Sequence, residues 1–400
     1  MVEYLAMYAD EDKEYEKRLK KEVDVEDISS DSSEPITTPF NPSDIRLTTP
    51  PMNLGDLIDM IREGWVNFGT EYQRAGNLWD DEKQSRLIES VLLGLRLPAF
   101  YFEEVSKRQW NIIDGLQRCC AIRNFCVDET LDLKGLEFLH DKFGGEKYSN
   151  LPFEVRRDIR MLPITVNVLD KGTPPDVKYI LFKRLNTGGV SLTLQEVRTA
   201  MFQGKVVEIL KDMAHDKAFL HATCGRIPVR RQEDRDFVSR FIAFYLSDYH
   251  DFQPDLESFV FNSMVLLRDK CSEESIAKMK QDFSSAMQMS ADIFGNDAFR
   301  KRTDVSDDRK PINKAYFEVI GTTFAKMDKG SRFDLIARRD LLKDNLLVLM
   351  NNKSFSTSLS GGTGTRDSVL RRFGWFEEAV KATLGGRKVQ INHDNKIETV

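Results

Sequence analysis

The spacing of apolar residues changes near Gly204, and this change constrains the fold more than any other feature of the chain. Before Gly204, short runs with a period of two alternate with segments whose apolar residues recur every three or four positions. This mixture predicts strands and helices in one α+β domain. After Gly204 only the helical period continues, which predicts an all-α domain. A length of 400 residues also favours two domains, because it exceeds what one hydrophobic core usually serves.

The first 40 residues follow neither pattern. Residues 1–35 hold 12 acidic and 5 basic side chains, net −7, whereas the whole chain carries −6, so the remainder carries +1. Such a segment has little apolar surface to offset the entropy of ordering. The sequence therefore predicts a flexible acidic arm over 1–40, an α+β domain over 41–204 and a helical domain over 205–400.

The predicted elements of the α+β part surround one hairpin. Strands are expected over 99–103 and 109–113, and a third over 164–169. A capping box at Thr193 and Glu196 predicts the start of a helix. Further helices are expected over 54–63, 81–94, 117–126 and 176–185. In the helical part they are expected over 237–246, 256–267, 274–294, 313–327, 333–350 and 368–384.

Several classes of protein are excluded by missing motifs. The chain has no Walker-type phosphate loop, no G-x-G-x-x-G after a strand, no H-E-x-x-H and no G-x-S-x-G. Its five histidines are scattered, so neither an HNH-type nuclease site nor a metal site is predicted. No apolar run approaches the roughly 20 residues of a membrane span. With no signal peptide and no C-x-x-C, the five cysteines predict a cytoplasmic chain with free thiols and no membrane partner.

The positive signal is a strand–turn–helix unit at the end of the hairpin. Asp114 and Gly115 end the strand, and Gln117 and Arg118 fall in the first turn of a helix, whose N-terminus favours an anion. Arg118 adds a planar donor that suits phosphate. Two interpretations stay open: a phosphate-binding turn, or a plain connection in which Arg118 pairs with a carboxylate.

Two other polar segments extend the first interpretation. One stands in the loop ahead of Trp79, and the second ends the helix predicted over 176–185. Each alone is typical of a loop or of a helix C-terminus. Together with the turn they predict three loops that converge on one anion. Their residues are Tyr72, Gln73 and Arg74 in the first, and Lys183, Arg184, Asn186, Gly188 and Gly189 in the second.

The order of these motifs resembles one family closely. The three polar segments, with the run 85–90 and Gln195-Glu196-Val197-Arg198, are similar to the N-terminal domain of GmrSD-type modification-dependent restriction enzymes. That domain is a relative of the ParB/sulfiredoxin-like fold, and its hallmark is Asp-Gly-Gln-Gln-Arg. Leu116 departs from the hallmark at its third position, so the function of the first glutamine cannot be performed here. The resemblance continues more weakly into the helical part, which suggests a stand-alone form of the family.

The resemblance implies the binding of a nucleoside triphosphate, with or without hydrolysis, in a bacterial defence system that restricts phage DNA. Asp114, Gln117 and Arg118 would be the catalytic residues, and Gly115 with the two other polar segments would bind the phosphates. Mg²⁺ would accompany the nucleotide. Because no HNH domain is recognised, a separate nuclease partner is expected, and a homo-oligomer is a further expectation. Two alternatives stay open: a ParB-like nuclease that acts directly on DNA, and a non-catalytic protein that binds DNA or a partner.

Basic residues of the helical part allow DNA contact. Arg226, Arg230 and Arg231 lie close together, and Arg300 and Lys301 belong to a second concentration. DNA backbone binding requires such groups on one face. A solvated and internally ion-paired surface explains the same residues, so both interpretations stay open.

Overall fold

The fold divides into two compact units. A computed structural model describes residues 25–26, 46–68, 79–174, 177–178, 181, 193–202, 204–392, 394 and 396–399. One unit comprises Phe40–Gln203, and the other comprises Gly204–Val400 together with Met1–Pro39. A mixed sheet with helices forms the first unit and helices dominate the second, so the predicted α+β class with a helical C-terminal region is confirmed. No helix in the described residues is long and apolar enough to cross a membrane.

A five-stranded mixed sheet organises the α+β unit, in the order β1-β7-β4-β5-β3. The predicted hairpin is its centre: β4 and β5 are antiparallel, with Phe102 opposite Ile112. On its other side β4 runs parallel to β7. The short strands β2 and β6 form a separate pair. The strand bounds are β1 Leu47–Thr48, β2 Met52–Asn53, β3 Val66–Asn67, β4 Phe100–Ser106, β5 Gln109–Asp114, β6 Pro163–Ile164 and β7 Val166–Leu169.

The helices of this unit begin where the sequence supplies caps. Asn53 and Asp56 form a capping box at α1, and Asp80 caps α2 through the Lys83 N–H. The box at Thr193 and Glu196 is confirmed at α6. A 3₁₀ turn covers Tyr148–Asn150. The helix bounds are α1 Leu54–Arg62, α2 Asp81–Leu92, α3 Leu116–Cys126, α4 His140–Phe143, α5 Phe153–Met161 and α6 Leu194–Met201.

A loop after α3 is held by the polar face of α2. The buried Glu89 carboxylate accepts the backbone N–H groups of Glu137, Phe138 and Leu139 at 3.0, 2.7 and 2.8 Å. Burial raises the pKa of this carboxyl, but the three donors outweigh burial, so its pKa lies below its ordinary value. The Ser85 hydroxyl accepts the Lys134 N–H at 2.9 Å. These two residues of the 85–90 run therefore fix a loop.

The helical unit contains the predicted helices with one division. The helix expected over 333–350 is two helices, which meet at Arg338, where φ is −104° and ψ is 22°. A short hairpin, β8 Val389–Ile391 with β9 Ile397–Thr399, was not predicted. It depends on buried Asn345, whose Oδ1 accepts the Val389 N–H. The helix bounds are α7 Lys205–Ala214, α8 Lys217–Ala222, α9 Glu233–Leu246, α10 Leu256–Asp269, α11 Glu273–Phe294, α12 Lys314–Lys326, α13 Lys329–Ala337, α14 Arg339–Met350, α15 Lys353–Ser360 and α16 Arg366–Leu384.

A buried ion network joins three of these helices. The Glu318 carboxylate of α12 accepts hydrogen bonds from the guanidinium groups of Arg240 on α9 and Arg372 on α16, each at 2.8 Å. Arg240 also pairs with Asp236 at 3.1 Å. Burial lowers the pKa of the Arg372 guanidinium, and Glu318 opposes that effect. Because burial of an unpaired charge is costly, the three helices are held in one arrangement.

Two residues of the expected flexible arm pack on the helical unit. Val25 forms a parallel bridge with Ile312, and the Glu26 N–H donates to the Ile312 carbonyl at 2.8 Å. The Glu26 carboxylate also pairs with Lys301. At these positions, backbone pairing and an ion pair offset the entropy of ordering.

Candidate phosphate-binding site

The predicted strand–turn–helix unit is present, and a left-handed glycine forms its turn. β5 ends at Asp114, α3 begins at Leu116, and Gly115 between them has φ +96°. A Cβ at this position would lie 2.7 Å from Cδ1 of Phe100, so both the backbone conformation and the close approach require glycine. No side chain caps α3. The turn therefore presents an uncapped helix N-terminus, which favours an anion.

The Arg118 side chain turns back onto the hairpin. Its Nη2 donates to Oδ2 of Asp114 at 2.8 Å, and its Nη1 donates to the carbonyls of Pro98 and Ala99. The guanidinium also lies 4.7 Å from the centroid of the Phe100 ring. Only 11% of the side chain is exposed. These contacts match the interpretation in which Arg118 pairs with a carboxylate and braces the turn.

Gln117 belongs to a chain of amide hydrogen bonds that fixes Trp79. Its Oε1 accepts the Trp79 N–H at 3.2 Å, while the Trp79 carbonyl accepts Nε2 of Gln84 at 2.9 Å. Oε1 of Gln84 in turn accepts Nδ2 of Asn124 at 2.9 Å. The sequence analysis missed Gln84 and Asn124. The available signal was a polar residue at position 84, one helical turn before Ile88 on the buried face of α2.

The two other polar segments fall outside the described residues, and the structure describes their flanks. The guanidinium of Arg123 on α3 lies 4.5 Å from the Phe68 ring, and Trp79 binds Gln117 on the same helix. Both described flanks of 69–78 therefore contact α3. The residues in question are Tyr72, Gln73 and Arg74 in one segment, and Lys183, Arg184, Asn186, Gly188 and Gly189 in the other.

The flanks of the second segment contact the central hairpin. Nζ of Lys178 binds Oε1 of Glu103 on β4 at 2.7 Å, in a pair that is largely buried. After the segment in the chain, Thr193 caps α6, and α6 packs against β5. The flanks of the first segment thus contact α3, and those of the second contact β4 and β5.

The comparisons with known proteins identify this unit. Residues 54–203 match the family model described as GmrSD restriction endonuclease, N-terminal domain. This segment is similar to a GmrSD N-terminal domain. The match indicates a role in a restriction or defence system, and it spans all three polar segments. No curated protein and no solved structure gave a significant match.

Within the matched segment, the residue that departs from the family hallmark has a packing role. Leu116 is partly buried and packs against the hydrophobic cluster of the unit, which includes the fully buried Phe100 and Phe102 of β4. A glutamine there would place an amide against apolar side chains. The departure thus adds apolar contact at the first position of α3.

The cysteines of α3 are unsuited to nucleophilic chemistry. All five cysteines of the chain are free thiols. Burial raises the pKa of the Cys126 thiol to about 12, and it raises that of Cys119 further. Because the thiolate is the reactive form, neither residue is a nucleophile at neutral pH. Across the described part of the chain, no group of three or more His, Cys, Asp or Glu residues could hold a metal ion.

The basic residues of the helical unit divide into two kinds. Arg230 and Arg231 are exposed and Arg226 is half-buried, so these remain DNA-contact predictions. Arg300 is 5% exposed and donates to the Lys310 carbonyl. Nζ of Lys301 pairs with Glu26 at 2.5 Å. These contacts match the interpretation in which Arg300 and Lys301 are internally paired, and DNA contact by them stays a prediction.

Proposed function

We propose that the matched segment binds a nucleoside triphosphate at the β5–α3 turn, and that binding controls action on phage DNA. One observation carries the proposal: the flanks of both polar segments contact the elements that surround an uncapped, glycine-started helix. The family match supports a place in a restriction system. The proposal assigns the nuclease to another domain or protein, since these 400 residues hold no HNH motif.

Two kinds of group would bind the phosphates: the backbone N–H groups of α3 and the basic side chains of the loops. The first N–H groups of α3 and its dipole would receive phosphate oxygens. Arg74, Lys183 and Arg184 would supply the positive charge, and each charge-assisted contact contributes about 1.5–3 kcal/mol. Arg118 would act as a positioning residue, because Asp114 and two carbonyls already occupy its donors.

The contacts of the three candidate catalytic residues favour binding over hydrolysis. Oε1 of Gln117 and both terminal nitrogens of Arg118 are engaged within the fold. Asp114 keeps 36% of its side chain exposed while it pairs with Arg118. A magnesium nucleotide needs one or two carboxylates besides its phosphates and waters, and Asp114 fits that requirement. The ion would neutralise phosphate charge when bound.

The test is calorimetry of the full chain with each of the four nucleoside triphosphates and Mg²⁺. Arg74→Ala and Arg184→Ala should each weaken binding at least tenfold, about 1.4 kcal/mol, with an unchanged melting temperature. Arg157→Ala is the matched control, because Arg157 is exposed on α5 and pairs only with its neighbour Asp158 among the described residues. The proposal would be overturned if wild type and the three variants bound the nucleotide with equal affinity. It would also be overturned if wild type bound none of the triphosphates.

Turnover is measured separately. Release of inorganic phosphate is followed with and without DNA, at nucleotide concentrations that saturate binding. Binding without release is the expected result, since Gln117 and Arg118 are engaged in the fold. Steady release that Asp114→Ala abolishes would instead make the domain a nucleotide hydrolase.

A further inference from the structure

The segment Val25–Glu26 pairs through its backbone with Ile312 of the helical unit. Ile312 forms an antiparallel bridge with Arg300 on one side and a parallel bridge with Val25 on the other. The Glu26 N–H donates to the Ile312 carbonyl at 2.8 Å. Backbone pairing with an extended segment is a recurring mode of peptide recognition.

Two side chains bind the Glu26 carboxylate, one at each oxygen. Oε1 pairs with Nζ of Lys301 at 2.5 Å, and Oε2 accepts Nδ2 of Asn313 at 2.8 Å. Together with the backbone pairing, these contacts select an extended chain with a carboxylate at one position. An amide in place of the carboxylate would lose the ion pair.

The receptor side of this contact is built by the helical unit itself. Asn313 is fully buried; its Nδ2 also donates to the Leu359 carbonyl, and its Oδ1 accepts the Tyr316 N–H, both at 2.8 Å. Lys301 also donates to the Ser360 hydroxyl at 2.7 Å. Both recognition groups are therefore held in place by contacts other than Glu26. Such preorganisation lowers the entropic cost of binding.

Charge complementarity favours an acidic peptide at this site. The first 35 residues carry net −7, and Lys301 supplies the positive charge that meets the Glu26 carboxylate, whereas its neighbours Arg302 and Lys310 pair with Asp297 and Asp307. Opposite charges increase the rate at which the two surfaces meet. The backbone pairing with Ile312 requires a polypeptide, and Arg300 is buried, so a peptide fits this surface better than a nucleic acid does.

We propose that Arg300, Ile312, Asn313 and Lys301 form a docking site for an extended acidic peptide in which glutamate follows an aliphatic residue. Val25–Glu26 occupies the site within the chain, and an acidic segment of a partner protein replaces it. Lys301 and Asn313 are thus the groups that recognise the carboxylate of the peptide.

The experiment measures fluorescence anisotropy of a labelled peptide of residues 20–30 with full-length proteins. The wild-type arm competes at high effective concentration, so the peptide should bind Glu26→Ala at least tenfold more tightly than wild type. Glu11→Ala removes the same charge elsewhere in the arm and should behave as wild type. Adding Lys301→Met to Glu26→Ala should abolish peptide binding.

Two readouts keep the proposal open to refutation. Hydrogen exchange at the Glu26 amide should be slow in wild type and at least tenfold faster in Glu26→Gln, a variant that retains the shape of the side chain. The proposal fails if the peptide binds wild type and Glu26→Ala equally. It also fails if a 20-base-pair DNA duplex, but not the peptide, binds Glu26→Ala more tightly than wild type.

Discussion

Arg118 shows how the role of a motif residue depends on its partners. Its guanidinium reaches Asp114 one helical turn earlier and carbonyls twenty residues earlier, so it ties α3 to the start of β4. The arginine of the Asp-Gly-x-Gln-Arg motif is therefore a brace for the turn in this chain. Phosphate binding, as proposed, then relies on the backbone N–H groups that this brace holds in place.

We expect Arg118→Ala to lower the free energy of unfolding by about 2 kcal/mol, because Asp114 and two carbonyls would lose a charged donor. Urea denaturation measures the change. The exposed pair of Arg157 and Asp158 provides the control, since Arg157→Ala should change stability by less than about 0.5 kcal/mol. A loss of nucleotide affinity without any loss of stability would show that Arg118 contacts the ligand directly.

At the scale of elements, α2 acts as a clamp for the loop that follows α3. Glu89 and Ser85 accept backbone N–H groups from residues about fifty positions later. The sequence shows these two residues only as polar positions on a helix. Through these contacts α2 holds in place the loop that follows α3.

The Glu89 clamp should make stability depend on pH. The pKa of the folded carboxyl lies below its ordinary value of 4.5. Its contribution is therefore fully present above pH 4.5 and is lost as pH falls through the lower folded value. We expect Glu89→Gln to cost about 2 kcal/mol at pH 7, and that difference should shrink below pH 4.5.

Unfolding free energies of wild type and Glu89→Gln, measured from pH 7 to pH 3, test this expectation. Glu154→Gln is the matched control, because Glu154 is exposed on α5. A wild-type advantage that stays constant over the whole range would mean that the carboxylate charge contributes nothing.

At the scale of the whole molecule, the two units have different kinds of interior. The α+β unit surrounds a sheet with an apolar cluster, while the helical unit places Glu318, Arg240 and Arg372 at the contact of three helices. Among the described residues, neither unit contains a cluster that could hold a metal. Hydrolysis of a phosphodiester commonly requires a metal-bound water or an activated base.

We therefore expect the purified chain to leave plasmid DNA supercoiled in Mg²⁺ or Mn²⁺. The measurement is a gel time course on plain and modified DNA, with and without nucleoside triphosphate, beside Asp114→Ala. Nicking by wild type that disappears in Asp114→Ala would establish the alternative in which this domain is a ParB-like nuclease.

Local patterns in the sequence determined the elements, and long-range contacts decided what the polar residues do. The hairpin of β4 and β5, the capping box at Thr193 and the division at Gly204 depend on residues within a few positions of one another, so spacing alone predicted them. The partners of Arg118, Glu89 and Lys301 lie 20, 49 and 275 positions away. An arginine or glutamate has the same hydrogen-bonding capacity whether it faces solvent, a ligand or a distant backbone group. Only the packed chain selects among these partners.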